Sequence, residues 1–193
     1  MNFLAHLHLA SLADSSLLGN LMADYVRGNP HNEWPEAVAE GILHHRRIDM
    51  MTDSLPEVRA AREFFRAETR RVSPITLDVI WDHFLSRNWD NLVPEISLPD
   101  FLAQVKTVIE PELAATPERF QTLNRYLWTD RWMEKYADAD YLQAVLRGMA
   151  SRRPRLAALE DSWQDFIDNY QRFNDFFWQF YPVMMEKASR KAL

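Results

Sequence analysis

Five of the six histidines in this chain stand in three short segments that carry, or lie near, an aspartate. They are His6 and His8, then His44-His45-Arg46-Arg47-Ile48-Asp49, then Asp82-His83, with Asn20 and Asp24 between the first two segments. Imidazole and carboxylate oxygen together suit a divalent cation. A cation held this way lowers the pKa of bound water and neutralises charge on phosphoryl oxygens, so the composition points to hydrolysis. Arg46 and Arg47 sit beside the candidate ligands and can grip a phosphate.

Spacing limits which of these groups can converge. Residues four apart on a helix lie about 40° from each other, so His45 and Asp49 share a face, as do Asn20 with Asp24 and Asp78 with Asp82. His44 lies about 100° round from His45, and Asp82 is separated from His83 by the same angle. His6 and His8 oppose each other on a helix, so at most one is expected to reach a shared site. The neighbours are apolar: Ile42-Leu43 before the histidine pair, Trp81 and Phe84-Leu85 around Asp82-His83, and Leu21-Met22-Ala23 before Asp24. Buried charge is costly unless paired or metal-bound. The plainer reading is ion pairing, Asp49 with Arg46 and Asp82 with Arg47.

Several chemistries are excluded. The chain has no cysteine, so disulfides and thiolate metal sites are absent and any metal must sit on His, Asp, Glu or water. No glycine-rich phosphate loop and no G-x-S-x-G elbow occurs, which leaves activated water as the simplest nucleophile. A net charge of -6 argues against a general nucleic-acid binder. No window approaches the roughly 20 apolar residues of a membrane span. The N-terminal stretch lacks a basic start and is interrupted by His6 and His8, unlike a signal peptide, so a cytoplasmic protein is expected.

The elements that must position these groups read as helices. Only four glycines occur in 193 residues, no Asn-Gly or Asp-Gly hairpin signal is present, and strict alternation is nearly absent. Phe3 to Leu9 can alternate as a strand, but an isolated strand has no partner, so a helix is expected. Asp14 is placed as the cap of a helix through Tyr25, ended by Gly28 and Pro30. Trp34-Pro35 opens the next helix, through His44, His45 and Asp49. Ser54 with Glu57 forms a capping box, and Ser73-Pro74 starts the helix of Asp82 and His83. Ser97 with Asp100, and Thr116-Pro117, open two more. A last, aromatic-rich helix is expected to pack in the core from near Pro154 to about Ala188, bent near Pro182. The expectation is all-α, one compact multi-helix bundle over residues 1–193.

Long stretches of the chain resemble the acyl carrier protein phosphodiesterases (acyl carrier protein hydrolyases) of enterobacteria. These are MNFLAHLHLA, SLLGNLMADYVRGNP, HHRRIDMMTDSLPEVR, ETRRVSPITLDVIWDHFLSR, GMASRRPRL and the closing KASRKAL. The likeness runs from first residue to last. It implies that water cleaves the phosphodiester joining 4′-phosphopantetheine to a serine of holo-acyl carrier protein, releasing apo-carrier protein and 4′-phosphopantetheine. It also implies metal dependence, with Mn²⁺ favoured and Mg²⁺ possible, and an HD-domain-like fold. That class is named for an adjacent His-Asp pair, which this chain lacks; Asp82-His83 has the reverse order. The ligand expectation is therefore carried only by the polar residues of the matching segments: Asp24, His45, Asp82 and His83 as metal ligands. Asp24, His44, Arg46, Arg47 and Asp49 are expected to act in catalysis, with His6, Asn20 and Asp53 behind them.

A carrier protein of this kind is acidic, so an acidic enzyme needs a local basic patch. Arg59, Arg62, Arg66 and Arg70 fall within about 80° on one helix and form the expected docking stripe, with ordinary solvated ion pairs as the alternative. The run Ser151-Arg152-Arg153-Pro154-Arg155 is read as a helix start rather than a contact surface. Two other functions compete: an HD-like nucleotide phosphohydrolase, and a helical adaptor that binds carrier protein without chemistry.

Overall fold

The computed structural model describes residues 1–193 as helices and connecting turns with no strand. The helices are α1 (Phe3–Leu12), α2 (Leu17–Met22), α3 (Glu36–Ser54), α4 (Pro56–Arg62), α5 (Ala67–Arg70), α6 (Ser73–Arg87) and α7 (Trp89–Leu92). They continue with α8 (Leu98–Ile109), α9 (Glu118–Thr129), α10 (Trp132–Lys135), α11 (Ala139–Arg152), α12 (Ala158–Asp168) and α13 (Tyr170–Ser189). Short 3-10 turns fill Ala23–Tyr25, Pro30–Asn32, Glu110–Ala115 and Pro154–Leu156. One hydrophobic cluster of 46 buried residues runs from Met1 to Ala188.

α1 is the axis of the site. Every residue from Leu4 to Ala10 is buried, the two histidines included. A helix apolar on all sides has to be surrounded, and α2, α3, α6 and α13 all pack on this one. That enclosure decides the ambiguous N-terminal alternation in favour of a helix. Its first turn is capped from a distance: the N–H groups of Leu4 and Ala5 donate to the Asp82 carboxylate at 2.7 and 3.0 Å.

α2 and α3 lie unusually close. A Cβ on Gly19 would overlap the Val38 carbonyl, and one on Gly41 would come within 2.8 Å of Ser16 Cβ. Two glycines facing each other let the backbones approach, and the approach sets Asn20 of α2 against His44 and His45 of α3. Gly28, at φ +72°, turns the chain between the two helices.

Several expected boundaries shift. Ser16, not Asp14, caps α2, accepting from the Gly19 N–H at 3.1 Å; Asp14 sits in the preceding turn at φ 55°. The Ser54–Glu57 capping box does not form: Leu55 is extended between α3 and α4, and the Ser54 hydroxyl donates back to the Met51 carbonyl. Ser97 does cap α8, accepting from the Asp100 N–H at 3.2 Å. Thr116 donates to the Leu113 carbonyl and leaves α9 to begin after Pro117. The expected single C-terminal helix is a 3-10 turn followed by α12 and α13. They part at Asn169, whose side chain donates to the carbonyls of Asp165 and Phe64. Pro182 lies inside α13. The aromatic rows of these helices do pack in the core, with Phe166, Phe173, Phe177, Phe180 and Tyr181 buried.

Candidate metal centre

Two helices and one turn bring four side chains together. α1 supplies His6, α3 supplies His45 and Asp49 one turn apart, and the 3-10 turn after α2 supplies Asp24. The His6 and His45 rings stack 3.6 Å apart at 12°, with both Nε2 atoms turned toward Asp49. His6 Nε2 lies 3.0 Å from Asp49 Oδ1, and His45 Nε2 lies 3.2 Å from Asp49 Oδ2. Asp24 Oδ1 is 3.5 Å from the same His45 nitrogen. Ligand atoms of His6, His45 and Asp49 all fall within 4.8 Å of one another.

The tautomer of His45 is set from behind. Its Nδ1 faces the Asn20 carbonyl at 2.8 Å; a carbonyl only accepts, so Nδ1 carries a proton and Nε2 is directed at the carboxylates. Neither nitrogen of His6 completes an aligned hydrogen bond, although both are buried. The cluster opens to solvent on one side: the Asp24 side chain is 78% exposed and that of Asp49 38%, against 2% for His6.

Behind Asp49 lies a contact that residue spacing does not show. The α-amino group of Met1 is buried and donates to Asp49 at 3.1 Å and to Asp78 at 2.7 Å. Burial opposes charge on this amine, but the two carboxylates outweigh it and raise its pKa to about 11. For His45, burial is likewise outweighed by hydrogen bonds to Asp24 and Asp49, which lift it to about 9. His6 goes the other way, to about 3, because it is buried and faces the positive His45. Partial burial of Asp49 works against its charge, yet contacts with His45, His6 and the amine hold it well below the usual carboxylate range. The hydrogen bond with His45 lowers Asp24.

The other expected site residues lie elsewhere. Asp82 is fully buried and caps α1; burial raises its pKa to about 7 against the pull of the Ala5 and Leu4 N–H groups. His83 uses both nitrogens: Nδ1 donates to the Tyr136 carbonyl at 2.7 Å and Nε2 faces the Tyr170 hydroxyl at 2.8 Å. Neither residue reaches the cluster. His44 is not part of the cluster; its Nδ1 meets the Asn20 side-chain oxygen at 3.0 Å. Arg46 donates to the carbonyls of Gly28 and Val26, pinning the loop after Asp24. Arg47 reaches the Leu193 carbonyl and approaches Glu40. The ion pairs Asp49–Arg46 and Asp82–Arg47 do not form. Asp53 pairs with Arg62 at 2.7 Å. Of His6 and His8, only His6 faces the cluster; His8 bonds the Tyr181 hydroxyl.

The docking stripe is also redistributed. α4 ends at Arg62 and α5 begins at Ala67, so the four arginines do not share one helix. Arg62 is paired with Asp53, Arg66 with Asp165 at 2.7 Å and Arg70 with Glu63 at 3.4 Å; Arg59 alone has no carboxylate partner. Met1 and Asp78 join the site without having been expected there. A signal for Asp78 exists, since it shares a face of α6 with Asp82; the terminal amine has none. His31, Glu36 and Glu40 form a second His/Glu group, but all three are exposed and pair at the helix surface.

A family model described as acyl carrier protein phosphodiesterase matches residues 1–184. Curated proteins named acyl carrier protein phosphodiesterase align over all 193 residues and over their own full length. They include relatives from Escherichia coli at 61% identity, Klebsiella pneumoniae at 59% and Yersinia enterocolitica at 58%. No solved structure matches the chain. With a match of this extent in both comparisons, the chain belongs to the acyl carrier protein phosphodiesterase family.

Proposed function

We propose that this protein hydrolyses the phosphodiester between 4′-phosphopantetheine and a serine of holo-acyl carrier protein, using a divalent cation held by His6, His45, Asp49 and Asp24. The observation that carries this reading is the convergence of two buried imidazoles and two carboxylates at a solvent-facing mouth. The donor set fits a cation. The His6 nitrogens lack aligned hydrogen bonds, and the carboxylates crowd the Nε2 edge of the stacked rings. Two nitrogens with two carboxylates suit Mn²⁺ better than Mg²⁺, which prefers oxygen alone. Such a cation supplies Lewis-acid charge to the phosphoryl oxygens and makes water a stronger nucleophile.

The chain's own groups do the rest. The Asn20 carbonyl holds the His45 ring so that Nε2 faces the mouth. The Met1 amine, anchored by Asp78, keeps Asp49 ionised and in place. Asp24, the most exposed member, faces the solvent from which water enters. Water oxygen bonds to phosphorus, the bond from phosphorus to the serine oxygen breaks, and a proton from water ends on the serine hydroxyl. No helix is long and apolar enough to cross a membrane. The cytoplasm is the compartment this reading assigns, in keeping with a chain that lacks cysteine.

Mass spectrometry of holo-carrier protein incubated with this chain, with and without Mn²⁺, tests the reading. Loss of the prosthetic-group mass only with metal is expected. An unchanged carrier protein alongside turnover of members of a nucleotide panel would instead assign the nucleotide phosphohydrolase. Binding without turnover of either substrate would leave the adaptor.

A further inference from the structure

Three of the four arginines that the helix spacing nominates for docking are bound by carboxylates of this chain. Another set is not. Arg27, Arg119 and Arg153 are exposed and have no acidic side chain within ion-pair distance. They come from three distant stretches of sequence: the loop after α2, the first turn of α9 and the end of α11.

Tyr25 connects them to the metal centre. It follows Asp24 in the same 3-10 turn, is half-buried, and its ring packs edge-on against Phe120 at 5.7 Å and 63°. Phe120 is the residue after Arg119. The Tyr25 hydroxyl feels both the Arg119 and Arg153 guanidinium groups, which partly offset the upward pull of burial and of Asp24 on its pKa. The Phe120 contact sets the unpaired Arg119 beside a tyrosine that adjoins the most exposed carboxylate of the cluster, and the charge of the unpaired Arg153 is felt at the same hydroxyl, on a chain whose net charge is -6.

We propose that Arg119 and Arg153, with Tyr25 between them and Asp24, form a cationic lip that docks an acidic protein surface beside the cleaved serine. The proposal rests on the functional reading above and deepens it. An exposed guanidinium holds a small anion weakly, because water screens it. Several spread over a surface steer an acidic protein to the mouth and fix its orientation. Steering of this kind also overcomes the repulsion that the carboxylates at the mouth present to an acidic substrate.

The test is steady-state kinetics on holo-carrier protein, at low and high salt, for wild type, Arg119→Glu, Arg153→Glu and the double variant. Arg172→Glu, on α13 over the Phe64 ring, makes the same charge change elsewhere. Each single change at the lip should raise KM roughly threefold to tenfold, and the double change more, with kcat within about twofold. The differences should shrink at high salt. An unchanged KM in the double variant overturns the proposal. So does a fall in kcat at constant KM, which would put the arginines in the chemical step, or an equal rise in KM for Arg172→Glu. If wild type does not cut holo-carrier protein, the functional reading fails separately. Fluorescence anisotropy of labelled holo-carrier protein then still decides whether the lip binds it.

Discussion

α3 and α6 each carry a His and an Asp into the same core, with opposite outcomes. On α6, Asp82 and His83 are fully buried and fully partnered, by two backbone N–H groups, a carbonyl and a tyrosine hydroxyl. On α3, His45 and Asp49 are crowded by a second imidazole, a second carboxylate and an ammonium, and the group opens to solvent. A polar group whose bonds are all made inside the protein has nothing left for a ligand and acts as scaffold. Imidazoles and carboxylates that converge beside water are the donor set proposed above to hold a cation.

That contrast can be broken by mutation, and the largest effect is expected on α3 and α1. Replacing His45, Asp49 or His6 by Ala should cut hydrolysis of holo-carrier protein by about a thousandfold, as the several kcal/mol a bound cation supplies implies. Circular dichroism should show the fold retained. Activity within tenfold of wild type for all three would remove the site.

The scaffold histidines answer to pH instead. Burial pushes His8 and His83 down to about 4, against 6.5 for an ordinary histidine. A depressed folded pKa means that the contribution is complete above pH 6.5 and is lost as pH falls toward 4, where the unfolded chain binds protons the folded one refuses. Each site should cost roughly 3 kcal/mol by pH 4. Urea midpoints measured from pH 7 to 4 check this, and a flat profile would contradict it.

Removing the cap of α1 is next in size. Asp82→Ala should lower stability by about 2 kcal/mol, because two buried N–H groups lose their acceptor. The same variant should still bind Mn²⁺. Stability unchanged, with metal binding gone, would move Asp82 from scaffold to site.

The smallest effect sharpens the boundary between the two regions. Asp78→Asn loosens the anchor of the Met1 amine behind Asp49 and should weaken Mn²⁺ binding about tenfold, the scale for groups that orient a metal ligand. Calorimetric titration reads it; no change would show that Asp49 needs no support.

Periodicity made the helices legible, and with them the pairing of His45 with Asp49, because one helix fixes its own faces. It also nominated Asp82 and His83, since alternating apolar and polar groups look alike whether the polar ones meet a ligand or the end of another helix. The choice between His6 and His8 depends on how α1 is rotated among its four neighbours, which is a tertiary quantity. The arginine stripe failed on a break between Arg62 and Ala67. That stretch has neither Pro nor Gly, and Phe65 within it is buried in the core. The Met1 amine has no side-chain signature at all. Family resemblance reached the activity class directly, yet without an adjacent His-Asp pair it could not order the ligands.

Mn²⁺ titration followed by electron paramagnetic resonance, on wild type and on His6→Ala, His45→Ala, Asp49→Ala, Asp82→Ala and His83→Ala, weighs the two regions against each other. Saturable binding should vanish or fall steeply in the first three variants and persist in the last two once folding is confirmed. Binding that survives loss of His45 and Asp49 but disappears with His83 would place the cation on α6 and contradict the account.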